Sequence, residues 1–311
     1  MADFQLVTPV AFIIFNRPEV TRRVFEAIAR ARPPRLLLVG DGPRENRPGE
    51  AEKVSAARQI VDRVDWDCEV LTNFSDVNLG CNKRVSSGVD WIFDQVEEAI
   101  ILEDDCLPDP SFFRFCQEML SHFREDQRIG MIGGTNFQSG RRRGDSSYYF
   151  SRYSIIWGWA SWRDRWRDSY DVNMESWPRV RDEGWLADML GNRDEVRYWN
   201  NIFERVYRGE IDTWDYQWFY ANWLQGRLSV MPALNLISNL GYGDAATHTT
   251  SEESPVANVA LNEMTFPLTH PPGVFRSIEA DRVTDQVFFR GTLGKRARQK
   301  LQRMLGRLLP W

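Results

Sequence analysis

This 311-residue chain has three histidines and four cysteines, Cys68, Cys81, Cys106 and Cys116, with no Cys-x-x-Cys pair among them. A structural zinc site is therefore not expected, and free thiols at these spacings fit a reducing, cytoplasmic setting. The formal net charge of −5 lacks the basic balance of a dedicated nucleic-acid binder. No apolar run approaches the twenty or so residues of a membrane span. The opening stretch MADFQLVTPVAFIIFNRP has a short apolar run and no basic leader. It reads as a buried strand, not as a signal peptide or anchor. No internal repeat is visible.

What is present is a globular composition. With 42% hydrophobic and 27% charged residues the chain can bury a large core and is not a disordered polymer. Short apolar runs at Val10–Phe15, Leu36–Val39, Val70–Phe74, Ala99–Leu102 and Ile129–Ile132 read as strands covered on both faces. Between them lie helical stripes. One follows Pro18 through Val20, Val24, Ala27, Ile28 and Ala31 and stops at Pro33-Pro34; others span 50–64, 81–96 and 110–123. Such alternation predicts an α/β fold with a mostly parallel central sheet flanked by helices. Ligands bind at the carboxyl ends of strands in such sheets, so the loops at 15–18, 40–44, 74–82 and 103–109 are expected to converge on one crevice.

The sharpest chemical feature is Glu103-Asp104-Asp105, directly after the run AIIL. Three acids at the mouth of a buried strand repel one another and lose hydration at a cost. A divalent cation relieves both problems, and Mn²⁺ or Mg²⁺ favours carboxylate together with phosphate oxygen. Asp109 is explained more simply, as the cap of the helix opening at Pro110. Asp41, in VGDGPR, stands at another strand end, where an Asp-Gly pair also serves as a plain turn. Arg17, in FNRPE, follows the first strand within reach of a phosphate or of solvent alone.

In order, AFIIFNRPEVTRRVFEAI, LLLVGDGPR, NLGCNKRVSSGVDWIF and AIILEDDCLPDPSFFRFCQEML resemble GT-A glycosyltransferases. The likeness is strongest to the N-acetylglucosaminyltransferase I group and related bacterial family-2-like enzymes, and it covers most of residues 10–120. The resemblance implies that Asp105 holds Mn²⁺ or Mg²⁺ and that Asp104 and Glu103 contact the ribose or sugar of a nucleotide-sugar donor. It implies that Asp41 binds the base, uracil in many members, and that Arg17 and Asn82 line the nucleotide pocket. The animal members carry an N-terminal membrane anchor that finds no counterpart in the opening stretch, so their secretory-pathway location is not carried over.

After residue 135 the composition shifts. SGRRRGDSS is a polar loop, and 148–225 is crowded with Trp and Tyr around two expected helices at 194–208 and 214–225. IIWGWASWRDRW resembles the family's acceptor-side segment, which makes Trp157, Trp159 and Trp162 candidates to face an acceptor saccharide, against a packing role for most of the indoles. TWDYQW resembles the stretch that supplies the base in inverting members, with Asp215 at the matching position. Thr213 as a helix cap and Asp215 as a favourable first-turn acid explain the same residues without catalysis. NLGYGDAATHT resembles the loop that brings a histidine, here His248, to the donor.

These readings divide the chain into a nucleotide-sugar half at 1–135, an acceptor half of the same domain at 136–250, and a C-terminal extension at 251–311. The extension ends in a basic amphipathic helix suited to a peripheral contact with the inner face of the cytoplasmic membrane. The expected activity is metal-dependent, inverting transfer from a UDP-sugar to a saccharide, lipid-linked saccharide or other glycoconjugate. A sugar-nucleotide pyrophosphorylase is the first competitor, but it wants a glycine-rich loop after the first strand, and FNRPEV has no glycine. A non-catalytic sugar-nucleotide or glycan-binding protein is the second.

Overall fold

The computed structural model describes residues 4–142, 144–241 and 259–289. Along the chain these form β1 (Val10–Ile14), α1 (Pro18–Ala31), β2 (Arg35–Gly40), α2 (Glu50–Arg58), β3 (Glu69–Phe74), α3 (Cys81–Gln95), β4 (Glu98–Glu103), β5 (Cys106–Pro108), α4 (Pro110–Phe123) and β6 (Ile129–Gly133). The second half adds β7 (Tyr148–Ser151), β8 (Trp159–Trp162), α5 (Arg163–Arg167), α6 (Trp177–Asp182), α7 (Trp185–Leu190), α8 (Arg193–Tyr207), α9 (Asp215–Leu224), β9 (Leu228–Pro232), β10 (Ile237–Asn239) and α10 (Ile278–Thr284).

Eight strands make one sheet in the order β3-β2-β1-β4-β8-β6-β9-β7, flanked by helices, so the fold is α/β as expected. Four pairings are parallel (β3 with β2, β2 with β1, β1 with β4, β6 with β9) and three are antiparallel, all in the half that contains β7 and β8. Both halves of the chain contribute strands to this sheet. The five strands read from apolar runs appear as β1, β2, β3, β4 and β6. β3 differs in one respect: it is the sheet's edge and only half-buried, so it is not covered on both faces.

Alternation along β1 divides the core. Val10, Phe12 and Ile14 join the cluster under α1 and α4, whereas Ala11 and Ile13 join the one under α3. The opposite placement of α1 and α3 follows from handedness. The α1 crossover leads from β1 outward to β2, and the α3 crossover leads back from β3 past β1 to β4. Right-handed crossovers running in opposite directions lie on opposite faces. β1 and β4 are therefore the point at which the strand order reverses.

The tryptophans are mostly core. Trp159, Trp166, Trp177, Trp199, Trp214 and Trp218 are fully buried. Trp159 lies with its ring centroid 5.7 Å from that of Trp214 and 6.0 Å from that of Trp218, joining β8 to α9. A third cluster around Trp177, Trp199, Phe203 and Trp223 packs α6, α7 and α8 against α9. Among the described residues no helix is long and apolar enough to cross a membrane. The basic tail at 294–311 lies outside the described residues. Because Trp159 fills the seam between sheet and α9, Trp159→Ala is expected to destabilise the protein by about 3–5 kcal/mol. Urea unfolding measures this directly, and a loss below about 1 kcal/mol would show that the seam does not depend on the indole.

Candidate functional site

The four loops expected to converge are stitched together by carboxylates at the carboxyl edge of the parallel strands. Asp104, 2% exposed, accepts the Phe15 amide at 3.1 Å and a bond from Arg17 Nη2, which ties the end of β4 to the loop after β1. Glu50 accepts Asn16 Nδ2 at 2.8 Å and the Arg44 amide at 2.7 Å and pairs with the Arg44 guanidinium, tying the loop after β1 to the one after β2. Asp41 accepts the amides of Gly42 (2.9 Å), Leu79 (2.9 Å) and Gly80 (3.1 Å) and Asn78 Nδ2 (3.0 Å), tying the loop after β2 to the one that opens α3. These loops approach so closely that a β-carbon on Gly42 would lie 2.5 Å from the Val77 backbone.

This geometry refines the role of Asp41. A carboxylate offers about four acceptor positions, and four donors already fill them. Asp41 is 7% exposed and fastens the loop after β2 to the one before α3; in this arrangement it has no acceptor position left for a base.

Arg17 straddles the triplet. Its Nη2 pairs with Asp104 and its Nη1 lies 3.0 Å from Asp105 Oδ2. Glu103 lacks such a partner: its Oε1 is buried with no hydrogen-bond partner among the described residues. Burial first, then the charges of Asp105 and Asp104, push the Glu103 carboxyl up to about 8. Asn82 Oδ1, at the start of α3, is a second buried acceptor without a partner among the described residues, while the Asn82 amide donates to Asp212 Oδ1 at 3.1 Å. Two orphaned buried oxygens beside a carboxylate pair form a site suited to a ligand that brings positive charge or hydrogen-bond donors.

Asp215 begins α9 on the same side of the sheet, and its charge is felt by both Glu103 and Cys81. The residue at the cap position is Trp214, which makes no side-chain cap bond; Thr213 is not the cap and instead donates its hydroxyl to Asp215 Oδ1. Cys81, not singled out from sequence, sits amid Glu103, Asp215, Asp212 and Asp41, and burial together with those charges drives its thiol pKa upward. Its only sequence signal is its place at the first turn of α3.

β5 and β10 pair beside the triplet and bring Gly241 over it. Leu240 donates to the Asp105 carbonyl at 2.7 Å, and a β-carbon on Gly241 would lie 2.2 Å from Asp105 Oδ2 and 3.0 Å from Arg17 Nη1. His248 lies outside the described residues.

The three candidate tryptophans separate. Trp159 and Trp162 are 0% and 3% exposed and face opposite sides of the sheet as core residues, so in this structure neither presents its indole to an acceptor. Trp157 is half-buried. The pair Ile101↔Trp159 joins β4 to β8, and two residues further along each chain stand Glu103 and Trp157. The pairing stops there, because the chain turns at Gly158, and Trp157 follows the stretch after β6 instead: Thr135 Oγ1 donates to its carbonyl at 2.9 Å, and its ring lies edge-on to Phe137 and Phe288 with centroid distances of 5.3 Å.

Among the described residues no three His, Cys, Asp or Glu side chains converge as a ready cation cage. Hard oxygen is nevertheless the donor on offer: half-buried Asp105, with Glu103 Oε1 unsatisfied beside it. These residues fit Mg²⁺ or Mn²⁺ bound through one or two carboxylates, with phosphate and water completing the shell. A cavity of about 400 Å³ is lined by Pro43 from the loop after β2 and by Ala51, Val54, Ser55, Arg58 and Asp62 along α2 and the turn that follows it.

No family model matches the chain, and no curated protein matches it. Solved structures similar to it include the apo form of mouse xyloside xylosyltransferase 1, at 12% identity and a TM-score of 0.32, covering 69% of this chain and 81% of that one. Another is UDP-glucose pyrophosphorylase complexed with UDP-glucose, at 12% identity and a TM-score of 0.25. The latter match covers 48% of this chain and 63% of the pyrophosphorylase, under two thirds of its length. Likeness this slight does not decide activity, which is argued below from the carboxylates.

The Glu50 clamp has a pH signature. Hydrogen bonds from Arg44 hold its carboxyl down at about 2, below the usual 4.5. A depressed acid contributes stability that is present above its unfolded value and is lost as pH falls through the folded one. Glu50→Gln is therefore expected to cost about 1–2 kcal/mol at neutral pH, reduced from a fully buried pair because Arg44 is partly exposed. The difference should shrink between about pH 4.5 and pH 2. Urea midpoints at pH 7, 4 and 2.5 test it; a pH-independent difference would refute the ionic clamp.

Proposed function

We propose that this crevice binds a nucleotide-diphosphate sugar and that the protein is an inverting glycosyltransferase of GT-A type acting on a hydroxyl of a saccharide or glycoconjugate. The observation that carries the reading is the triplet Glu103-Asp104-Asp105 at the strand-order reversal, with Arg17 spanning two of its carboxylates and a Glu103 oxygen left unsatisfied. Nucleotide sites of doubly wound sheets lie at such a reversal.

In this reading Asp105 holds Mn²⁺ or Mg²⁺. The cation, when bound, neutralises charge on the departing diphosphate. Arg17, already aimed at the triplet, turns its guanidinium to phosphate oxygen, for which its planar fork is suited. Asp104 stays fixed by the Phe15 amide and orients the ribose or sugar; Glu103 and Asn82 offer their orphaned oxygens to donor hydroxyls. Asp41 sets the loop against which the base lies. Trp157 is assigned to the acceptor, and His248, outside the described residues, to the diphosphate. UDP-N-acetylhexosamine or another UDP-sugar is the proposed donor.

Inversion needs one base on the acceptor side of the anomeric carbon, and Asp215 fills that role. The Thr213 hydroxyl fixes the carboxylate's direction, and the start of α9 faces the triplet. Peripheral membrane contact through the basic tail belongs to the same proposal.

Calorimetric titration of UDP, GDP, CDP and dTDP, each with Mn²⁺ and with EDTA, tests the site. One nucleotide is expected to bind in a metal-dependent manner, and Asp105→Ala should remove that dependence; unchanged metal dependence in the variant would overturn the assignment. Asp215→Asn is expected to keep donor binding while transfer falls by about 10²–10⁴-fold, the usual contribution of a general base. Full transfer by that variant would leave Asp215 as a structural residue.

A further inference from the structure

Beyond the donor crevice, a separate cavity of about 220 Å³ opens on the same edge of the sheet. It is bounded by Asn136, Gln138, Arg141, Arg142 and Ser146, the start of β7, Ala233 and the face of α10. Its lining starts after β6, two strands from β4, and extends to β7, four strands away, so at about 4.8 Å per strand its far wall stands about 19 Å across the sheet from the triplet. Arg141 and Arg142 line the cavity.

The cavity is built into the fold. Gln138 Nε2 bonds the Ala280 carbonyl at 3.1 Å and Thr284 Oγ1 at 3.1 Å, fastening the loop to α10. Asp281, 1% exposed, accepts Ser151 Oγ at 2.5 Å and pairs with Arg276, fastening α10 to β7. The charge of the lining has a definite sign. Glu279 is answered by Arg282 at 2.9 Å, whereas neither Arg141 nor Arg142 has a carboxylate within ion-pair distance among the described residues. The unanswered charge is positive, and it is carried by guanidinium groups, whose planar forks match carboxylate and phosphate oxygens.

We infer that this cavity binds one anionic sugar unit, a monosaccharide bearing a carboxylate or phosphate, as part of a charged glycan. The volume equals that of about seven waters and falls below that of pockets for drug-sized ligands, which limits the ligand to one ring with its substituent. Tyr148 and Val283 give an apolar wall for the C–H face of such a ring, and Tyr149 and Ser146 give polar edges. The choice of a sugar rests on the glycosyl-transfer reading; the sign and size of the ligand do not. Along one sheet edge, a charged acceptor several units long would occupy this cavity while its end reaches Trp157 and Asp215.

Ligand-observed NMR and calorimetry without nucleotide or metal test the inference independently of the donor site. The probes are glucuronic acid, glucose and inorganic phosphate. Glucuronic acid is expected to bind at least tenfold more tightly than glucose and than phosphate. Arg141→Ala with Arg142→Ala should lower its affinity at least tenfold. Ala233→Leu, which fills the cavity and keeps both charges, should do the same with an unchanged melting temperature. Equal binding of glucose and glucuronic acid, or binding that survives both variants, overturns the site. Phosphate binding as tightly as glucuronic acid overturns the sugar assignment. A protein that binds UDP with Mn²⁺ but not glucuronic acid refutes this inference alone, whereas one that binds glucuronic acid but no nucleotide refutes the donor reading.

Discussion

Adjacent carboxylates cannot be drawn into a strand end without a counter-charge, and Arg17 supplies it. Asp104 is almost fully covered and Asp105 half-covered, yet both face the same guanidinium. Removing one partner of such a buried pair leaves an uncompensated charge, which costs far more than the pair contributes. The surrounding structure conforms to this need. Arg17 sits at the turn into α1, where Thr21 donates amide and hydroxyl to its carbonyl. Gly241 has no side chain because Asp105 and Arg17 occupy the space where one would project. Glu103, first of the triplet, makes no hydrogen bond to Arg17, and its burial and the charges of Asp105 and Asp104 outweigh the attraction of that guanidinium and raise its pKa.

Much of residues 1–135 was legible because the signals there are local. Continuous apolar runs, Pro18 and Pro110 at helix starts and Pro33-Pro34 after a helix each act within a few residues. They located β1, β2, β4, β6, α1, α3 and α4 closely. The same holds for Asp109, which caps α4 through the Ser111 amide at 2.9 Å. The short strands β5, β7, β8, β9 and β10 were not legible. β8 is four residues of Trp, Ala, Ser and Trp, and its identity as a strand depends on β4 and β6, which lie far away in sequence. Helices α5, α6 and α7 have five or six residues each, too few to establish a period.

Site residues divide in the same way. The triplet announces itself because three acids after an apolar strand conflict with local physics. Glu50 does not, since an acid in the first turn of a helix is commonplace; only the fold brings Asn16 and Arg44 to it. Asp41 was visible, but its work was not, because the three amides it binds become available only when the loop at 76–80 folds over it. The tryptophans carried the opposite ambiguity. Indole serves equally as a sugar platform and as core filler, and the strand pleat decides: Trp159 and Trp162 point into the two cores, and Trp157, beyond the last pairing, stays at the rim.

Topology explains why these charges gather where they do. β4 has a parallel neighbour in β1 and an antiparallel neighbour in β8, so it lies at the border between the parallel and mixed halves of the sheet. On the parallel side the chain leaves β1 for β2; on the other it leaves β4 through β5 and α4 for β6. The two exits diverge and open a cleft between the ends of β1 and β4, which no connection crosses. Arg17 and Glu103-Asp104-Asp105 are the residues at those two ends. On the mixed side, antiparallel pairing directs the start of β8 to the same edge, and the turn that starts α9 lies there too. The reversal of strand sense thus sets a carboxylate from the second half, Asp215, near an acidic triplet from the first. The proposed transfer between two substrates requires that opposition, and a sheet with a single sense throughout would have had to supply it from loops alone.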